Sequence, residues 1–155
     1  MKKLMLLFCA VLTSVFASAA KYEIPTYDIE AAGSGVQGTY LVRVWVESKN
    51  GKVADDVLKL AAIHGVIFRG FAGTTSGAPT ARPMCSPTEE QTKAEYFTAL
   101  FNGPYAAFAT VVTGSYQRVK ASKKYKVGAI VQVQKDELRR ELEKSGIVKG
   151  LNSGF

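Results

Sequence analysis

The chain has 155 residues, with 20 lysines and arginines against 13 acids for a formal charge of +7, two cysteines and one histidine. Its length fits one domain with a substantial core, and a single histidine excludes a two-histidine metal centre or acid–base pair. The positive balance suits solubility and anionic partners without selecting one.

Residues 1–20, MKKLMLLFCAVLTSVFASAA, set two lysines before an apolar run from Leu4 to Phe16 and close on Ala17-Ser18-Ala19-Ala20. That order predicts a secretory signal, too short in its apolar part to span a bilayer, with cleavage after Ala19 or Ala20. Phe8 before Cys9 speaks against a lipoprotein site. The expected mature protein is therefore soluble and exported, periplasmic or extracellular, with no transmembrane helix. Lys2, Lys3 and Cys9 leave with the signal, so 18 basic and 13 acidic residues remain, a formal +5. Cys85 becomes the only cysteine of the mature chain, and no internal disulfide can form.

Residues 21–38 combine Pro25 with a glycine-rich approach and read as an irregular arm or edge segment. Its end, Gly33-Ser34-Gly35-Val36-Gln37-Gly38, fits the G-x-G-x-x-G pattern of dinucleotide-binding turns. That fingerprint needs glycines after a strand and at the start of a helix, where helix amides meet the pyrophosphate. Here the glycines lead into TYLVRVWVES, whose Tyr40, Val42, Val44 and Val46 alternate with Leu41, Arg43, Trp45 and Glu47 as in a strand. A nucleotide is accordingly not expected.

The next stretch sets Val53, Val57, Leu60, Ala61 and His64 at helical spacing, with Asp55 and Asp56 near the start and Gly65 placed to close the helix in a left-handed conformation. Val66 to Phe71, VIFRGF, then reads as a short strand, giving a parallel crossover or a split unit with another strand between. Ala72 to Ser86 shows no apolar periodicity and is the longest loop, the first place to seek a binding surface.

Ser86-Pro87-Thr88-Glu89 carries a capping-box pattern with proline at the first helical position, opening a helix that runs to Asn102-Gly103-Pro104. Tyr105 to Lys120 and Tyr125 to Gln134 read as two long strands around Ala121-Ser122-Lys123-Lys124. A three-residue connection would set Val119 beside Tyr125 and Val111 beside Val133, a four-residue one would exchange the faces, and a bulge at Thr113-Gly114-Ser115 would reconcile both ends. Asp136 is placed to cap a last helix carrying Leu138 and Leu142, with a stop at Gly146 and Ile147 folding back in a Schellman ending. The order predicts one α+β domain over 21–155, a mostly antiparallel sheet with about three helices on one face.

Candidate chemistry is sparse. Cys85 and His64 could form a nucleophile and its base if the fold brings them together, although no nucleophile-elbow or papain-like context surrounds Cys85. The pairs Asp55-Asp56 and Glu89-Glu90, with Glu137, Glu141 and Glu143, read as solvated helix faces, and no alternating acidic calcium loop occurs. No cofactor or metal is expected. The hairpin segment RVKASKKYK gathers Arg118, Lys120, Lys123, Lys124 and Lys126 with Tyr125, a pattern that holds anionic polymers or lipid head groups, or that simply protects an edge from aggregation. Trp45, on the face opposite the valine row, either packs under a helix or forms a ligand platform, with burial the default.

YLVRVWVESKNGKVADDVLKLAAIHGVIFRGFAG and YKVGAIVQVQKDELRRELEKSGIVKGLNSGF resemble a group of small exported bacterial proteins of uncharacterised function. The resemblance implies an envelope or secreted protein and carries no catalytic motif. The expected function is a non-enzymatic binding or assembly module of the cell envelope. Its partner would be an envelope protein or an anionic polymer, not nucleic acid. A small enzyme using Cys85 and an anionic-polymer binder using the hairpin are the alternatives.

Overall fold

The computed structural model describes residues 22–74 and 77–150, so the predicted signal lies outside the described residues. The central strand pair follows directly from the alternation in sequence. Strand β2 (Tyr40–Ser48) sends Val42, Val44 and Val46 into the core, and β5 (Lys124–Val133) sends Val127, Ala129, Val131 and Val133 to the same side. Their register sets Val42 opposite Val131, Val44 opposite Ala129 and Val46 opposite Val127, so two apolar rows form one buried face.

The N-terminal arm is more regular than its proline and glycines suggest. Within it, β1 (Tyr27–Gly33) pairs antiparallel with β2, alternating Tyr27, Ile29 and Ala31 inward against Asp28 and Glu30 outward. Strands β3 (Ala109–Val111) and β4 (Gln117–Ala121) share the other side of β5, completing a five-stranded antiparallel sheet in the order β1-β2-β5-β3 with β4 beside β5. The glycines of GSGVQG thus lie in the connection between β1 and β2, in a strand-to-strand context.

Helix α1 (Asp55–His64) lays Leu58, Ala61, Ala62 and Ile63 on the buried face. It does not stop at Gly65, which is right-handed at φ −62°. The absence of a side chain there serves packing instead, since a Cβ would come within 2.7 Å of Ile29 Cδ1 on β1. The chain continues as a π-helical turn, Gly65–Arg69, and VIFRGF is therefore not a strand. A short apolar run reads equally well as buried helix, and Val66, Ile67 and Phe68 satisfy burial in that form. No crossover unit follows from it.

The capping box at Ser86 is present, with Ser86 N donating to Glu89 Oε2 at 2.6 Å and Glu89 N donating to Ser86 Oγ at 3.4 Å. The helix it opens breaks at Lys93, giving α2 (Pro87–Thr92) and α3 (Ala94–Phe101); α3 buries Phe97, Leu100 and Phe101. The long strand expected from Tyr105 is a 3₁₀ turn (Pro104–Phe108), β3, a loop, and β4. The expected bulge is a larger excursion: Val111 lies opposite Val131 and Gln117 opposite Gly128, so residues 112–116 face only two residues of β5. Ser115 bridges the gap, its hydroxyl accepting from Ile130 N at 2.9 Å and donating to Val112 O at 2.6 Å. At the tip Lys120 lies opposite Tyr125, the register of the four-residue alternative and not of the three-residue one. Ala121 and Lys124 add one further pair, leaving a two-residue loop in which Ser122 takes the positive φ of 56° that such loops favour.

Helix α4 (Lys135–Lys144) buries Leu138 and Leu142, but Gln134 rather than Asp136 precedes it and no side chain caps it. Its end is the predicted one, with Gly146 left-handed, Ile147 N donating to Leu142 O at 2.9 Å and Ile147 buried. α1, α3 and α4 all contribute to the same core as the inward strand residues, whereas Leu41, Trp45 and Ile130 of the opposite sheet face lie outside it.

Candidate functional site

His64 ends α1 in a buried polar network. Tyr27 Oη lies 2.7 Å from Nδ1, Glu90 Oε1 lies 3.2 Å from Nε2, and Tyr22 donates to the same glutamate oxygen at 2.9 Å. Arg69 donates to the Tyr27 carbonyl at 2.9 Å, and its guanidinium stacks 4.3 Å above the Tyr27 ring. A neutral ring with its proton on Nε2 satisfies every partner, since Tyr27 donates to Nδ1 and Nε2 donates to the carboxylate. Burial lowers the imidazole pKa from its ordinary value, with Glu90 opposing and Arg69 assisting. Burial also pushes the Tyr27 phenol up to about 12.

Both ring nitrogens are thus engaged by Tyr27 and Glu90 rather than by Cys85. Cys85 is buried behind the π-helical turn, its amide bonded to Ile67 O at 2.9 Å. Burial, reinforced by the neighbouring Glu89 carboxylate, pushes its thiol up to about 12. A thiol held there has almost no thiolate at neutral pH. Labelling of the native protein with a maleimide at pH 7 is expected to proceed no faster than unfolding exposes Cys85, and rapid stoichiometric labelling without denaturant would refute this.

The basic hairpin is divided by its own pleat. Lys124 and Lys126 point to the outer face, where Lys124 pairs with Glu47 at 2.9 Å and Lys126 with Asp28 at 2.9 Å. Arg118 and Lys120 lie on the other side, opposite Val127 and Tyr125, and Arg118 stacks 5.6 Å from the Tyr125 ring. Lys123 occupies the loop. What sequence presents as one cluster is two neutralised lysines on one face and, on the other side and tip, Arg118, Lys120 and Lys123 without a carboxylate partner among the described residues.

Trp45 lies half-buried on the outer face, flat over Gly128, where a Cβ would come within 2.5 Å of the indole; its Nε1 donates to Glu30 at 3.4 Å. The loop after Phe71 is tied back by a bridge to Ala81, leaving an open cleft against β1 edged by Asp28, Arg69 and Arg82.

An unpaired strand edge open to strand addition is a feature that sequence reasoning can name but not place, and the fold puts it at the outer edge of β4. All five of its residues are exposed, and among the described residues β5 is its only strand neighbour. Of the four exposed large apolar side chains among the described residues, Val119 lies on β4 at 52% exposure, and Tyr116 at 44% and Val112 at 36% lie in the segment leading into it. Tyr116 donates to Asp55 at the start of α1, which ties the base of the hairpin to the body. Alternation alone could not reveal the edge, because a strand with one neighbour has the same sequence pattern as a strand with two.

No known protein family, curated protein or solved structure matches the chain. Among the described residues no helix is long and apolar enough to cross a membrane, and no three His, Cys, Asp or Glu side chains converge as metal ligands.

Proposed function

We propose that the protein is an exported, non-enzymatic binding module of the cell envelope that captures an extended segment of a partner protein along the outer edge of β4. The carrying observation is an edge strand, exposed along its whole length and paired on one side only among the described residues, that bears the exposed Val119 and follows directly on the exposed Tyr116. Such an edge offers main-chain hydrogen bonds to an incoming strand, while its side chains choose which strand binds. The buried, bonded state of His64 and the high pKa of Cys85 support a binding role over catalysis.

The hairpin geometry says which amides do the work. Residues flanking a two-residue loop form a hydrogen-bonded pair, and bonded and non-bonded pairs alternate from there. Ala121, Val119 and Gln117 therefore bond to β5, while Arg118 and Lys120 aim their N–H and C=O groups outward. Lys120→Pro deletes one outward donor without removing a bond to β5, a substitution that edge strands tolerate. Linear peptides selected from a display library against the purified protein are expected to protect the Arg118 and Lys120 amides from hydrogen exchange. Binding should fall at least about ten-fold in Lys120→Pro, the equivalent of about 1.4 kcal/mol. Arg118→Pro serves as a second variant, and thermal unfolding verifies the fold of each. Selected peptides that bind both folded variants as tightly as the parent protein would overturn the reading.

A further inference from the structure

We infer that the β4 edge is selective for strands that alternate acidic and apolar residues, an inference that rests on strand capture and adds its specificity. An antiparallel partner would place one residue opposite Arg118 and another, two positions away, opposite Lys120, both on the same side of the extended sheet. The residue between them would face Val119 on the other side, beside Lys126.

Charge availability separates these cations from the rest of the hairpin. Lys124 and Lys126 are occupied by Glu47 and Asp28, so the outer face is already neutralised around Val119 and offers it as an apolar contact. Arg118 and Lys120 have no carboxylate partner among the described residues, and Lys123 in the loop at the tip is a third cation without one there. Acids at alternate positions would meet them directly, whereas basic residues there would be repelled.

The same charges decide against a second copy as the occupant. Antiparallel pairing of β4 with itself would set Arg118 and Lys120 against their own counterparts, with like charges at cross-strand distance. The edge thus rejects its own sequence and accepts an acidic one. Opposite-charge cross-strand pairs contribute roughly 0.2–1 kcal/mol each, so two or three together amount to about a ten-fold preference.

Three seven-residue peptides test this, each alternating valine with glutamate, serine or lysine, titrated against the purified protein at low and high salt. The glutamate peptide is expected to bind about ten-fold more tightly than the serine peptide and the lysine peptide more weakly than either, with the preference shrinking as salt rises. In the double variant Arg118→Ala with Lys120→Ala the glutamate and serine peptides should bind equally. Equal binding of all three peptides to the parent protein, with the Arg118 and Lys120 amides still protected, would overturn the acidic preference and leave strand capture standing. No binding and no protection with any of the three would overturn both.

Discussion

Gly70→Ala is expected to lower stability by about 3–4 kcal/mol, combining roughly 1–3 kcal/mol of backbone strain with a similar overpacking cost. Gly70 closes the π-helical turn at φ 67° and ψ −172°, a region open in practice to glycine alone. A Cβ there would come 2.3 Å from Ala81 O, 2.9 Å from Pro83 N and 3.0 Å from the Arg82 carbonyl carbon. All three are backbone atoms and cannot swing aside as a flexible side chain would. They are also held in place, because Phe71 and Ala81 exchange both backbone hydrogen bonds, at 3.0 and 2.9 Å. Relief would therefore require breaking the bridge that ties the long loop to the body. Gly146→Ala separates the two contributions: its φ is 71° but no atom lies within 4 Å of the added Cβ, so a loss of about 1 kcal/mol is expected. Urea unfolding of both variants measures the difference, and equal losses would show that the Ala81 contact carries no cost.

The same region shows why parts of the fold were legible in sequence and others were not. Strands β2 and β5 are long and alternate strictly, so one buried face and the identity of its valines could be read directly. The capping box at Ser86 and the Schellman ending at Ile147 are local devices, set by residues within five positions of each other. VIFRGF has no such local arbiter. Its state depends on Gly65 admitting Ile29 and Tyr27 from β1, residues more than 30 positions away. The hairpin failed for a related reason, because Ser115 replaces ladder bonds to Ile130 with a side-chain bond and lets three extra residues into the strand. Of the site, the basic residues were visible and their division between two faces was not. That division is fixed by the two-residue loop, and a change of one residue in its length exchanges the faces. Glu90 and Tyr27 carried no signal pairing them with His64, from which they are separated by 26 and 37 positions.

His64→Ala is expected to cost about 3 kcal/mol at pH 8, through lost packing and an orphaned buried hydroxyl, and to flatten the acid side of the stability profile. The imidazole packs against Phe68 and Phe101, and its removal leaves the buried Tyr27 hydroxyl without its acceptor. The pH effect follows from the direction of the shift. Burial holds the folded pKa of His64 below its ordinary 6.5, so the unfolded chain takes up the proton first as pH falls. Where the unfolded state binds more protons, stability rises with pH. The contribution is therefore fully present above about pH 6.5 and is lost progressively until the folded pKa is passed. The groups facing the ring do not reverse this sign: Glu90 reduces the shift, Arg69 adds to it, and the raised pKa values of Tyr27 and Tyr22 keep both phenols protonated throughout the window. Urea unfolding at intervals from pH 8 to pH 5 should show the parent protein losing stability below about 6.5 while the variant stays nearly level, since ordinary carboxylates titrate lower. Parallel profiles would mean that folding leaves the pKa of His64 unchanged, and a parent protein that gains stability over the variant as pH falls would mean that the folded state holds the ring charged, with a proton on each nitrogen.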